Sequence, residues 1–303
     1  MQLGSTVIED TFAEAFRLRY ASLVVTAHDA HWLSAGLAAF CGYGTSVIGC
    51  DAEVGVETLL SSEQSPDGRP CGRVLAFAFT ETAVATAVSY RAAQCRLTCP
   101  TVSIFDGMPE AAERVPLGDH VRHFGDGFEK TKVIDGRRFW RVPVMDGECV
   151  MEDTIGVSKG VGGGNLILQS MTLEGALAAA RRGVDAIAAT VGTIAPFPGG
   201  VVRSGSKVGS RSGRLKATTN EAFCPSLRGR PMEPQTGGAK LVEGAAAALE
   251  IVIDGVNEEA VARAMAEGIR AAVGSDIPAI SAGNYGDKLG KFHFRLHEVL
   301  GRY

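Results

Sequence analysis

The 303 residues are 46% hydrophobic, enough for a sizeable core and, at this length, for two domains or one large one. A formal net charge of −4 offers no basic face of the kind nucleic acid requires, and no apolar stretch approaches the roughly 18 residues of a membrane span. The N-terminal MQLGSTVIED lacks the basic and then apolar order of a signal peptide, so a cytoplasmic protein is expected.

In chain order, Leu23–Thr26 is a short apolar run. Helical spacing follows, with Leu33, Leu37 and Phe40 on one side, and Gly42–Gly44 stops it. Thr45–Cys50 reads as a second strand. Arg73–Phe79 is strand-like, Val84, Val88 and Ala92 lie on one face of a helix, and Thr101–Phe105 is again strand-like. The polar runs Pro109–Asp119 and Gly125–Arg138 read as surface excursions, and Met145–Glu148 as a turn. A boundary is expected there, with an N-terminal lobe at 1–150 and a C-terminal lobe at 151–303.

The second half repeats the plan. Asn165–Gln169 is strand-like, and Leu173, Leu177, Val184, Ile187 and Val191 form a helical stripe. Pro196–Gly200 is a turn from which Val201 and Val202 begin another strand. Then come the strand Leu249–Ile253, a helix bearing Val261, Met265, Ile269 and Val273, the strand Ala279–Ser281, and the alternating Phe292–Leu296. Val47-Ile48 and Val54-Gly55 align with Val201-Val202 and Val208-Gly209 at one offset, but the shared element order is the stronger sign of duplication. The expected class is α+β, with two similar lobes. Each is a split β-α-β (ferredoxin-like) α/β sandwich with helices on one face of a mostly antiparallel sheet.

Chemistry centres on Glu250, the lone carboxylate of an apolar strand. Alternation puts Leu249, Ile251 and Ile253 on one face and Ala248, Glu250 and Val252 on the other. A carboxylate so placed either pairs with a cation across a subunit contact or has its pKa raised by desolvation, which suits a general acid or base. The 38 glycines are nearly twice the average share of about 7%. They cluster in Lys159–Asn165, which leads into a strand, and in Ser204–Ser210, which follows one. Neither has a nucleotide-binding spacing. With Pro196–Gly200 and Ser281–Gly286 they suggest a ligand cleft in the second half.

Arg203, Lys207, Arg211, Arg214 and Lys216 either hold a polyanionic tail or form a solvated face. His28 and His31 have ligand spacing but no third partner, so no metal is expected. His293 and His297 suit a surface or interface role. The seven cysteines are odd in number and contain no C-x2-C pair, which fits small buried residues in a reducing compartment. No G-x-S-x-G elbow is present.

Several longer motifs carry a resemblance: Ile8–Phe16, Gly44–Ile48, Gly162–Asn165, Ala195–Gly200, Ser204–Ser210, Thr219-Asn220, and Ser281–Asn284 with Lys288–Gly290. On these the chain resembles the formylmethanofuran–tetrahydromethanopterin formyltransferases. The resemblance implies a two-lobed subunit assembled as a homotetramer. It also implies transfer of a formyl group between a methanofuran-type amine and N5 of a tetrahydromethanopterin-type pterin. Both coenzymes would be substrates, with no permanently bound cofactor.

The family's proposed catalytic glutamate falls in Glu250–Gly255, hence on Glu250. Substrate-binding candidates are Gly162, Gly163, Gly164, Asn165, Pro198, Gly199, Ser206, Lys207, Asn220, Asn284 and Lys288; Asn165, Ser206 and Asn220 are also candidate oxyanion donors. Where typical members have Gly-Gly-Lys-Leu-Gly, this chain has Gly286-Asp287-Lys288, which puts a backbone contact in question. The mild net charge favours a bacterial methylotroph, and with it a subunit of a hetero-oligomeric formyltransferase/hydrolase complex. A catalytically silent structural subunit and a small-molecule-binding regulatory module are the alternatives.

Overall fold

A computed structural model describes residues 1–230 and 239–303. The chain forms two compact units, Leu18–Gly160 and the pair of segments Met1–Arg17 and Val161–Tyr303.

In the Leu18–Gly160 unit, the second half of the strand Phe12–Thr26 lies between Cys71–Ala78 and Ser103–Asp106, antiparallel to both, and Glu53–Leu60 adds to the outer edge of Cys71–Ala78. In order of sequence these four strands are arranged 2-3-1-4, the ferredoxin-like order. Helices Ala30–Cys41 and Glu81–Arg91 start at Asp29 and Thr80, whose side chains accept backbone N–H groups of the first turn. Val25, Leu37, Phe40, Val74, Val84 and Val88 share one core beneath them.

Thr45–Cys50 is not the second strand. The Ser46 carbonyl accepts the N–H groups of Gly49 and Cys50, closing turns, and the strand comes later at Glu53–Leu60. The polar stretches are structured too. Lys130–Ile134, Arg137–Val144 and Gly147–Glu152 form a meander, and Glu113–Pro116 pairs with Thr154–Val157.

The other unit repeats the plan. Within the strand Thr154–Ser170, residues 164–170 lie between Ala247–Gly255 and Ala279–Ser281, antiparallel to both, and Thr193–Ile194 edges Ala247–Gly255. The order is again 2-3-1-4. Val201 and Val202 do not form the expected strand; Val202 makes a single bridge to Glu250 and the chain turns away.

Helices Leu173–Ala188 and Glu258–Ala272 cover one face, capped by Thr172 and Asn257. The expected apolar stripe on the first helix is also corrected. Leu173 and Leu177 are each 54% exposed, and Ala176, Ala179, Ala180, Gly183 and Ile187 face inward. Small residues let the packed elements approach closely: a Cβ on Gly183 would lie 3.0 Å from Ile251, and one on Gly268 3.0 Å from Ile187. A last helix, Leu296–Arg302, follows the strand Phe292–Arg295. No helix among the described residues is long and apolar enough to cross a membrane.

Candidate active site

Glu250 stands in the middle of Ala247–Gly255, opposite Ile167. The strand's alternation holds: Leu249, Ile251 and Ile253 enter the helix-covered core, while Ala248 joins Ile167, Ala222 and Phe223 on the other face. On that second face Glu250 is only 3% exposed. Burial raises its carboxyl to about 7, opposed by hydrogen bonds from the hydroxyl and backbone of Ser206. Among the described residues no cation pairs with it, and its Oε2 has no hydrogen-bond partner. A cavity of about 30 Å³ opens beside it, lined by Arg203, Gly205, Asn220, Phe223 and Cys224. That is room for about one water molecule.

The segment over the carboxyl is placed by the Val202 bridge. Beyond it Gly205 takes φ +63, and a Cβ there would lie 2.8 Å from that of Asn220 and 3.7 Å from Glu250 Oε2. Both the left-handed turn and the close approach require glycine. The Ser204 carbonyl accepts the Asn220 N–H at 3.0 Å, which brings Ser206 and Asn220 to the same carboxyl.

Other expected site residues have structural duties. Lys159–Asn165 is not a loop but continuous strand, with a bulge between Val161 and Gly164. Gly163, at φ +90, donates to Asp254 Oδ1 at 3.0 Å, and a Cβ on Gly164 would lie 2.4 Å from Val261. Gly162 is buried in the same strand. Asn165 donates to the carbonyls of Gly163 and Gly283, both at 3.1 Å, and accepts the Gly283 N–H at 2.6 Å. Its amide hydrogens are thus committed to bracing the chain. Asn284 clips Thr11 and Phe12, while Pro198, Gly199 and Lys288 are exposed and do not line the Glu250 cavity.

Lys207 Nζ lies 2.6 Å from Glu221 Oε2. The hairpin of Lys207–Val208 and Ala217–Thr218 borders a cavity of about 550 Å³, where Lys207, Arg211 and Arg230 supply positive charge. His28 and His31 sit exposed around the helix cap Asp29, and no metal-ligand cluster occurs among the described residues.

Two residues were missed by sequence reasoning. Glu14, buried in the strand Phe12–Thr26, accepts four backbone N–H groups: Tyr285 at 2.7 Å and Asp287 at 3.1 Å on Oε2, Leu289 and Gly290 at 2.6 Å on Oε1. Burial alone would raise its pKa, but these donors outweigh it and hold the carboxylate below its usual range. Tyr285, in the loop so fixed, has its phenol raised by burial and then by the negative charges of Glu250 and Glu14. Both residues lie inside motifs quoted above, but nothing in a linear sequence pairs Glu14 with a loop some 270 residues away.

An α+β sandwich with a buried, near-neutral carboxyl on its open face, beside amide and hydroxyl donors and a basic hairpin, has the arrangement that proton transfer between heteroatoms requires. Family profiles described as "Formylmethanofuran-tetrahydromethanopterin formyltransferase" and "FTR, proximal lobe" match residues 1–144 and 147–299. The chain belongs to the formylmethanofuran–tetrahydromethanopterin formyltransferase family.

A relative of that name from Rhodopirellula baltica is 44% identical over 99% of this chain and 93% of its own. The formylmethanofuran:tetrahydromethanopterin formyltransferase structure from Methanosarcina barkeri is 42% identical with a TM-score of 0.91, covering 99% of this chain and all of its own. The crystal structure of a formyltransferase/hydrolase complex from Methylorubrum extorquens with methylofuran supplies a chain 41% identical, TM-score 0.93, covering 99% and 98%.

Proposed function

We propose that this chain transfers a formyl group between N5 of a tetrahydromethanopterin-type pterin and the amine of a methanofuran-type coenzyme, with Glu250 carrying the proton. The observation behind this reading is the 3% exposed carboxyl held near 7. In the direction from furan to pterin, N5 attacks the formyl carbon and the carbon–nitrogen bond to the furan amine breaks. The N5 proton passes to Glu250, which returns one to the leaving nitrogen. A group half-protonated near neutral pH can do both, and the reverse reaction uses the same steps.

Ser206 orients the carboxyl. Asn220 donates to the Ser206 carbonyl only at 3.4 Å, so little is lost when its amide turns to the oxyanion of the tetrahedral intermediate. Lys207, with its basic hairpin, would hold an anionic coenzyme tail. Exposed Pro198, Gly199 and Lys288 would meet the coenzymes at the rim. Gly162, Gly163, Gly164, Asn165 and Asn284 would shape the cleft through the backbone.

The lobes of this reading are 1–150 and 151–303, supported by two family profiles that meet between residues 144 and 147. We place the enzyme in the cytoplasm, as seven cysteines of irregular spacing suit, and in a homotetramer or a formyltransferase/hydrolase complex like that of the Methylorubrum relative.

The test is a titration of the purified chain with a formylated tetrahydropterin and the furan amine, followed by pterin absorbance. Transfer is expected. Normal folding and binding of both coenzymes without transfer would favour a silent structural subunit, and binding of neither a regulatory module.

A further inference from the structure

We propose that the Leu18–Gly160 unit carries a second ligand site, where the guanidinium of Arg96 receives the oxyanion of a small, partly apolar molecule. Arg96 closes a π-helical turn, Ala92–Arg96, appended to the helix Glu81–Arg91. Such turns occur often at functional sites. The residue is 1% exposed, yet its Nε, Nη1 and Nη2 all lack hydrogen-bond partners among the described residues. A buried guanidinium left without a counter-charge destabilises a fold, because it has lost water and gained nothing.

Among the described residues none of the carboxylates on the same cavity wall, Asp67, Asp135, Asp146 and Glu148, forms an ion pair with Arg96. Asp67 is 2.7 Å from Arg69, Asp146 accepts the Thr101 N–H at 2.9 Å, and Glu148 pairs with Arg141. Arg96 lines a cavity of about 950 Å³ whose walls include Phe105, Phe139 and Val144. That volume lies at the upper end of the roughly 300–1,000 Å³ of ligand pockets.

A third observation falls on the same wall. Thr101 lies at φ +66, a conformation a β-branched residue rarely adopts. It is held there by its own N–H to Asp146 and by Arg69, which reaches its carbonyl at 2.6 Å. Backbone strain of this kind concentrates at ligand clamps. A planar fork with five N–H groups matches a carboxylate or a phosphoryl group, and the apolar walls suit an organic body.

The full chain would be heated in a dye-binding unfolding assay with sodium benzoate or sodium phosphate, at constant ionic strength kept with sodium chloride. Wild type is expected to show a saturable rise in Tm, about 5 °C at about 100 times the dissociation constant. A response to benzoate marks a carboxylate site, and one to phosphate a phosphoryl site. Arg96→Met should melt no lower than wild type without anion and lose the rise. Thr98→Trp, which fills the mouth from an exposed position, should lose the rise while keeping the ligand-free Tm, and it decides the matter if Arg96→Met fails to fold. No saturable rise with either salt, or an undiminished rise in the variants, overturns the site.

Discussion

The Val202 N–H reaches the Glu250 carbonyl at 2.7 Å, and the Val202 carbonyl receives the Glu250 N–H at 3.3 Å. This is a bridge of one residue pair, outside any continuous strand. It fixes the strand of Glu250 on one side and then releases the chain, so that residues 203–206 fold over the carboxyl. The dryness of Glu250 depends on that release.

Glu250→Gln keeps the shape and removes the proposed proton carrier. Formyl transfer should fall by about 100-fold or more in both directions, the usual worth of a positioned acid or base, with coenzyme affinities little changed. Steady-state rates and pterin binding measured together check this. Near-normal turnover removes Glu250 from the mechanism.

Ser206→Ala withdraws a hydroxyl that stabilises the charged form of Glu250. The Glu250 pKa should climb above about 7 by roughly half to one unit, since a hydrogen bond of about 1 kcal/mol corresponds to that shift. The pH–rate profile of kcat/KM should move to higher pH by the same amount. A profile that stays in place shows that the hydroxyl does not tune the carboxyl.

Glu250 also makes stability depend on pH. Its folded pKa of about 7 exceeds the unfolded 4.5, so the native state binds the proton more tightly. This contribution is fully present below 4.5 and is lost as pH rises through about 7. At about 1.4 kcal/mol per unit the loss is about 3 kcal/mol. Urea unfolding of wild type and Glu250→Gln at acidic and alkaline pH should show the variant gaining on wild type as pH rises, by that order.

Glu14→Gln should cost about 3 kcal/mol. Either orientation of the amide turns an NH2 toward two backbone donors that were accepted before, leaving partly buried N–H groups without their acceptor. Because the folded pKa of Glu14 lies below its unfolded value, its stabilising effect is present above about 4.5 and disappears as pH falls through the lowered value. The variant should lack that acid-side loss and should have a weakened kcat/KM, as Tyr285 leaves its place near Glu250. Thermal unfolding across acidic pH and steady-state kinetics check both.

Gly164→Ala places a methyl 2.4 Å from Val261 Cγ1. The helix Glu258–Ala272 must shift, costing about 1–3 kcal/mol. Gly199→Ala, with nothing within 4 Å but φ +63, should cost about 1 kcal/mol from backbone strain alone. Chemical unfolding of the two variants separates crowding from strain.

The strand of Glu250 was legible because alternation is local: an apolar strand with one carboxylate fixes which face that carboxylate takes. The helix Leu173–Ala188 was legible in extent but not in orientation. Its buried face is built from alanine and glycine, while the larger Leu173 and Leu177, which dominate a periodicity reading, point outward. The glycines at 162–164 read as a loop because composition does not distinguish flexibility from tight packing around a bulge. The repeat of Val47–Gly55 in Val201–Gly209 joins unlike parts, a turn and strand with a bridge and a two-residue hairpin strand, although the 2-3-1-4 order recurs in both units. Duplication survives in hydrogen-bond order after its residues have diverged.

The clamp at Glu14 grips amide hydrogens and no side chains. Asp287 occupies φ +63 where the resemblance implies glycine, yet its amide still reaches Glu14 at 3.1 Å. The course of this loop is therefore written in its peptide groups, and the outward side chains of 287–289 form an editable fringe. Replacements there can change the surface the loop presents while the peptide path that Glu14 fixes stays still.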